Sequence, residues 1–189
     1  MTLRRLLLVT HRWFGLGASL ILAVTGVTGA LLASPIGDTP VRAIAHALHE
    51  HLAMGALGGS ARKLGYWTVV WTTVVSILLL LGGVFLWWER KIILVRTGKG
   101  WRRTFFDLHH SVGILGLALM FLMAVTGAAL PFWGGASATL LDLHTGRGYS
   151  QPIKLIYMAA ATAFMVQGMT GIVMWWKPKR PFKNAGTDE

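Results

Sequence analysis

The sequence predicts an all-α membrane protein of four transmembrane helices, built as two parallel-repeat helix pairs with the N- and C-termini cytoplasmic. Three observations lead there. Of 189 residues, 54% are hydrophobic and 13% are charged, where a soluble domain carries about 25% charged residues. Four apolar runs, roughly 13–33, 66–88, 111–133 and 153–176, have interiors without charge. Each is long enough to cross a bilayer core of about 30 Å at about 1.5 Å per residue. The two halves also repeat one another. His11-x3-Gly15 leads to Ala23-Val24-Thr25-Gly26, and His109-x3-Gly113 leads to Ala124-Val125-Thr126-Gly127.

The elements follow in order. Arg4, Arg5 and Arg12 flank the first run, which is too long for the apolar core of a secretory signal and is read as a retained span. In the link that follows, Thr39-Pro40 is a helix start. Val41 to Met54 then reads as a short amphipathic helix lying in the interface, bearing His46, His49 and His51. The second run ends on Trp87-Trp88, and the next link carries Arg90, Lys91, Arg96, Lys99, Arg102 and Arg103. After the third run comes a glycine-rich link whose histidine is His144. The fourth run ends on Trp175-Trp176, and Lys177, Lys179, Arg180 and Lys183 follow. Basic residues concentrate on cytoplasmic segments and tryptophans at the interfaces. The termini and middle link are therefore expected in the cytoplasm, and links 34–65 and 134–152 in the periplasm. The chain reads as one four-helix domain over 1–189, with repeat 1 at 1–91, repeat 2 at 101–180 and a polar tail at 181–189.

The net charge of +11 does not point to nucleic acid, because the basic residues sit at the ends of apolar runs rather than on one polar face. The absence of cysteine excludes disulfides, zinc-thiolate sites, iron–sulfur clusters and C-x-x-C-H haem attachment.

The repeat extends to the second span of each half, Gly83 to Trp88 matching Gly171 to Trp176, and to Leu48-His49 matching Leu143-His144. Each half thus holds one inner and one outer histidine. A parallel repeat is related by an axis along the membrane normal, which turns equivalent helices toward each other. One irregularity concerns phase: His11 lies 14 residues before Thr25, and His109 lies 17 before Thr126. Three residues turn a helix by about 300°, so His109 keeps the face of His11, displaced by one turn. His110 points elsewhere and is read as an interface group.

Two facing imidazoles suit axial ligation of haem iron without thiols. The expectation is two b-type haems, the inner one on His11 and His109 and the outer one on His49 and His144. Gly15 and Gly113 leave room for a porphyrin edge, with Gly26, Gly29 and Gly127 further along. The propionates would pair with Arg12, Arg102 and Arg103, beside Arg4 and Arg5, on the inner side. On the outer side Arg147 is the candidate, with Arg42 and Arg62 nearby. The rival reading is a copper, iron or zinc ion on His46, His49 and His144, with Glu50 and Asp142 as the nearby carboxylates. A non-haem membrane anchor with interfacial histidines is the bland alternative. A proton relay is disfavoured, because the span interiors hold no Asp, Glu or His.

The ordered set of Leu-His-x-x-Leu-x-x-Gly before a span, Thr/Gly-Gly-x3-Trp-Trp at span ends, and Asp-Leu-His-x3-Gly opening the third span resembles the PepSY-associated transmembrane family. That family includes inner-membrane ferrisiderophore reductases. The matching positions are His11, Leu48-His49, Asp107-Leu108-His109 and Leu143-His144-Thr145-Gly146. The resemblance covers the four spans and their flanks. It implies a dihaem b-type protein of the bacterial inner membrane, passing electrons to a periplasmic acceptor such as a ferric iron chelate. A cytochrome b-type subunit of a larger redox complex is the alternative. Larger members insert periplasmic PepSY domains between spans; the outer links here are short, which implies a minimal electron conduit. G-x-G-x-x-G is absent, so electrons are expected from a membrane quinol or a separate donor protein.

Overall fold

The computed structural model describes residues 2–35, 38–89, 91, 93–98, 100–133 and 138–176. Arg90, Lys99, Lys177, Lys179, Arg180, Lys183 and the tail at 181–189 lie outside the described residues.

Helix α1 (Leu3–Ala33) starts at Thr2, whose hydroxyl accepts the Arg5 N–H at 3.4 Å. Helix α2 (Pro40–His51) starts the same way, with Thr39 accepting the Arg42 N–H at 3.3 Å and proline in the first turn. It ends earlier than the sequence implies, because Leu52 and Ala53 adopt left-handed backbone with φ of 54° and 57°. A single 3₁₀ turn at Met54–Leu57 then leads into α3 (Gly59–Trp88). Helix α4 (Trp101–Leu115) begins well before the apolar part of the third run, and α5 (Leu117–Trp133) completes it. Helix α6 (Ala138–Thr145) occupies part of the link read as glycine-rich, and α7 (Gln151–Trp175) is last.

Helices α1, α3 and α7 are each long and apolar enough to cross a membrane. The expected third span is not one straight helix: α4 and α5 meet at 69°, a bent pair with the length and apolarity of a broken span or a re-entrant loop. The break falls at Gly116, where an added β-carbon would lie 3.0 Å from the Val112 carbonyl oxygen and 3.4 Å from Ala163 Cβ. Gly116 N–H still reaches Val112 at 2.9 Å, and its carbonyl takes Met120 N–H at 2.9 Å, so the bend strands few backbone groups. Outward-facing Leu20, Leu78 and Leu115 are 67%, 65% and 73% exposed. Such a surface is stable against lipid rather than water. This all-helical chain is a membrane protein.

Small residues hold the bundle together. Helices α1 and α7 touch backbone to backbone: a β-carbon on Gly26 would stand 2.5 Å from Met165 N, and one on Gly168 2.5 Å from Ser19 O. Hydroxyls within the spans bond back to their own helices, Thr25 to Ile21 at 2.9 Å and Thr73 to Val69 at 2.8 Å. This satisfies them without water.

Candidate functional site

Four of the seven histidines meet in two pairs. The rings of His11 (α1) and His109 (α4) have centres 6.4 Å apart, and those of His49 (α2) and His144 (α6) 6.2 Å apart. Two imidazoles bound to opposite sides of one metal, each through a bond of about 2 Å, have ring centres about 6.3 Å apart. Both pairs stand at that separation.

Three of the four rings have a set tautomer. His49 Nδ1 lies 3.0 Å from the Thr25 carbonyl, which only accepts, so Nδ1 carries the proton. The Thr28 hydroxyl, itself donating to Val24 at 2.8 Å, lies 3.1 Å from the same nitrogen. His144 repeats the arrangement, with Nδ1 3.1 Å from the Met123 carbonyl and 3.1 Å from Thr126 Oγ1. His109 Nδ1 donates to Thr170 Oγ1 at 2.8 Å, whose own hydrogen goes to the Val166 carbonyl at 2.6 Å. In each case Nε2 keeps its lone pair, and metal-binding histidines are oriented this way by their outer-shell partners. Burial brings His49 down to about 4, helped by neighbouring His144 and opposed by the Thr25 carbonyl. Burial also lowers His144, against the opposing Met123 carbonyl. Both stay in the neutral form that ligates.

A cavity of ≈ 180 Å³ adjoins the His49–His144 pair, with walls that include Leu22, Val69, Val70, Leu130 and Phe164. No group of three or more His, Cys, Asp or Glu side chains among the described residues is placed to hold a metal ion. The reading with a bare ion on His46, His49 and His144 therefore finds no support; His46 sits 3.4 Å from Glu50 instead. Pairs rather than triads fit a metal that arrives with its equatorial donors already in place. On donor chemistry and ring separation both pairs are suited to haem, and the His49–His144 pair has apolar cavity walls beside it as well.

Other residues singled out from the sequence fall as follows. His110 bonds the Phe106 carbonyl at 2.8 Å and stacks on the Phe106 ring at 4.1 Å. A β-carbon on Gly15 would face Leu79 and one on Gly113 would stand 3.2 Å from Gln167, so neither glycine lies against a histidine ring. Beside the paired rings lie Gly82 and Gly83 for His11, Gly29 for His49 and Gly127 for His144, with β-carbons on the last three at 3.5, 3.2 and 2.8 Å from the respective Cε1. Arg12, Arg102 and Arg147 are exposed. Arg103 is already engaged: fully buried Asp107 takes it at 3.1 Å, together with Arg96 at 3.0 Å.

These contacts also revise the register of the repeat. His49 rests on Thr28 and Gly29, and His144 rests on Thr126 and Gly127. The equivalent of Val125-Thr126-Gly127 is thus Val27-Thr28-Gly29, not the four-letter match at Ala23 to Gly26. A constant separation of 98 residues then relates 11 to 109, 15 to 113, 28 to 126 and 29 to 127. The one-turn displacement inferred for His109 disappears. Likewise Gly15 on Leu79 mirrors Gly113 on Gln167, which aligns Gly82-Gly83 with Thr170-Gly171.

The fold and these pairs define a helical membrane protein with two pairs of part-buried, facing imidazoles. Residues 33–140, more than half the chain, match the PepSY-associated TM region, and the chain belongs to that family. The matched stretch contains His49 and His109; His11 precedes it and His144 follows it. Searches of curated proteins and of solved structures returned no match.

Proposed function

We propose that the protein is a dihaem b-type electron-transfer protein of the bacterial inner membrane, one domain of two repeats carrying electrons outward to a periplasmic acceptor. The observation that carries the reading is the pair of ring separations, 6.4 and 6.2 Å. His11 and His109 are the axial ligands on the cytoplasmic side, and His49 and His144 those on the periplasmic side. The orientation rests on the positive-inside rule: Arg4, Arg5, Arg12, Arg96, Arg102 and Arg103 gather at the His11–His109 end. Gly15 and Gly113 lie one turn from these ligands. Arg12 and Arg102 on one side and Arg147 on the other are the cations left for propionates, Arg103 being held by Asp107.

Haem, when bound, supplies reversible one-electron chemistry; the protein sets its position and potential. The chain's part is to hold the Nε2 of His49, His109 and His144 unprotonated through their Nδ1 hydrogen bonds, to keep water from the apolar cavity, and to space the two pairs along α1. The 17 residues from His11 to Thr28 put them about 25 Å apart along the axis at about 1.5 Å per residue. The acceptor proposed is ferric iron in a chelate such as a ferrisiderophore, with a quinol or a separate protein as donor.

The absorption spectrum of purified protein tests this. A Soret band and a sharp α-band on dithionite reduction, with two haems per chain, are expected. Protein without a Soret band overturns the reading. Reoxidation of the α-band on adding a ferric chelate then separates a reductase from a subunit that needs a larger redox complex.

A further inference from the structure

The two histidines of the cytoplasmic-side pair are not equivalent. His109 Nδ1 is tied to Thr170 at 2.8 Å. His11 Nδ1 is buried without a hydrogen-bond partner. The repeat explains the difference. The residue of α3 that corresponds to Thr170 is Gly82, and a β-carbon there would lie 3.9 Å from His11 Nδ1. The hydroxyl present in one half is missing from the other. Gly83, next along, leaves His11 Cε1 facing a position where a β-carbon would stand 3.5 Å away. His11 is therefore the one ring of the four without a hydrogen bond at Nδ1 to fix its tautomer and orientation.

We propose that His11 is the exchangeable axial ligand of this pair, so that the site admits a small neutral ligand on its His11 face, while Thr170 makes His109 the permanent one. The proposal rests on the haem reading above. A hydrogen bond to Nδ1–H orients an imidazole and raises its basicity; without it, the Nε2 of His11 is the weaker donor and its ring is held by packing alone. The exchange is a ligand substitution: the bond from His11 Nε2 to ferrous iron breaks as the carbon lone pair of the incoming molecule forms its own. No electron is transferred, and the imidazole leaves neutral. Thr170 and Gly82 are positioning residues in this scheme, acting through the ring they face.

Carbon monoxide added to dithionite-reduced protein is the probe. In the natural protein one haem of the two should show the CO-shifted Soret band, the other remaining six-coordinate. Gly82→Ser restores a hydroxyl at the place of Thr170 and should abolish that shift. Gly82→Ala adds the same β-carbon without the hydroxyl and should keep it, which separates hydrogen bonding from crowding. A two-haem protein that binds no CO, or a Gly82→Ser variant that carries two haems and binds CO as the natural protein does, overturns the proposal. Protein with no Soret band overturns the haem reading instead, so the two failures are distinct.

Discussion

The His144 imidazole lies directly on Gly127, where a β-carbon would stand 2.8 Å from its Cε1. No real contact is that short, so Gly127→Ala must displace the ring. The ring is held by the Met123 carbonyl at 3.1 Å and cannot shift without losing that bond. Haem content measured on purified protein should fall from two per chain toward one. Gly29→Ala, whose β-carbon meets His49 at 3.2 Å, should fall less. Equal and full occupancy in both variants would contradict the role given to these glycines.

Alanine replacement of the histidines should sort into two spectral classes. His11→Ala and His109→Ala each remove the same haem, and His49→Ala and His144→Ala the other. His110→Ala keeps both, because its ring is committed to Phe106. Redox titration of the α-band, resolved into two components, reads which haem is missing. Loss of a haem in His110→Ala would overturn the assignment of His109.

The contact between α1 and α7 should be intolerant of side chains. Gly168→Leu drives a side chain into the Ser19 carbonyl and Ala23, and overpacking of this kind typically costs about 1–3 kcal/mol. Gly17→Ala, with nothing within 4 Å of its β-carbon, should be neutral. Thermal unfolding of detergent-solubilised protein, followed by helical circular dichroism, makes the comparison.

Asp107 should fasten the middle link to α4. It is wholly buried, while its partners Arg96 and Arg103 are 53% and 36% exposed. In Asp107→Ala the guanidiniums regain water, so the loss is smaller than for a fully buried pair, about 1–3 kcal/mol. Trypsin should cleave after Arg96 faster in the variant than in the natural protein. An unchanged cleavage rate would mean that the link is held by something else.

Much of this was legible in advance. Apolar length and charge placement mark the spans, and a histidine recurring in both halves marks the site, because repetition is visible without coordinates. The register was misread because α1 contains Val-Thr-Gly twice, at 24–26 and 27–29. The longer letter match, which includes Ala23, pointed one turn short of the residues that hold His49. The bend at Gly116 was hidden because a glycine inside an apolar run looks the same whether the helix continues or turns. Helix α6 is only 8 residues long, too short for periodicity to show. The engagement of Arg103 did leave a signal, an aspartate four residues later on the same helix face, which the search for propionate partners passed over. That His49 and His144 rest against Thr-Gly pairs is a matter of packing, and only geometry reveals it.

Each ring pair draws one histidine from the first half of the chain and one from the second. Whatever spans a pair therefore cross-links the halves, as a disulfide ties two segments of a secreted domain. The chain has no cysteine, and its middle link is anchored where Arg96 meets Asp107. Helices α1 and α7 already join the halves backbone to backbone, and a group held by both rings of a pair would add a tie near each end of α1, resisting both splaying and sliding of one half on the other.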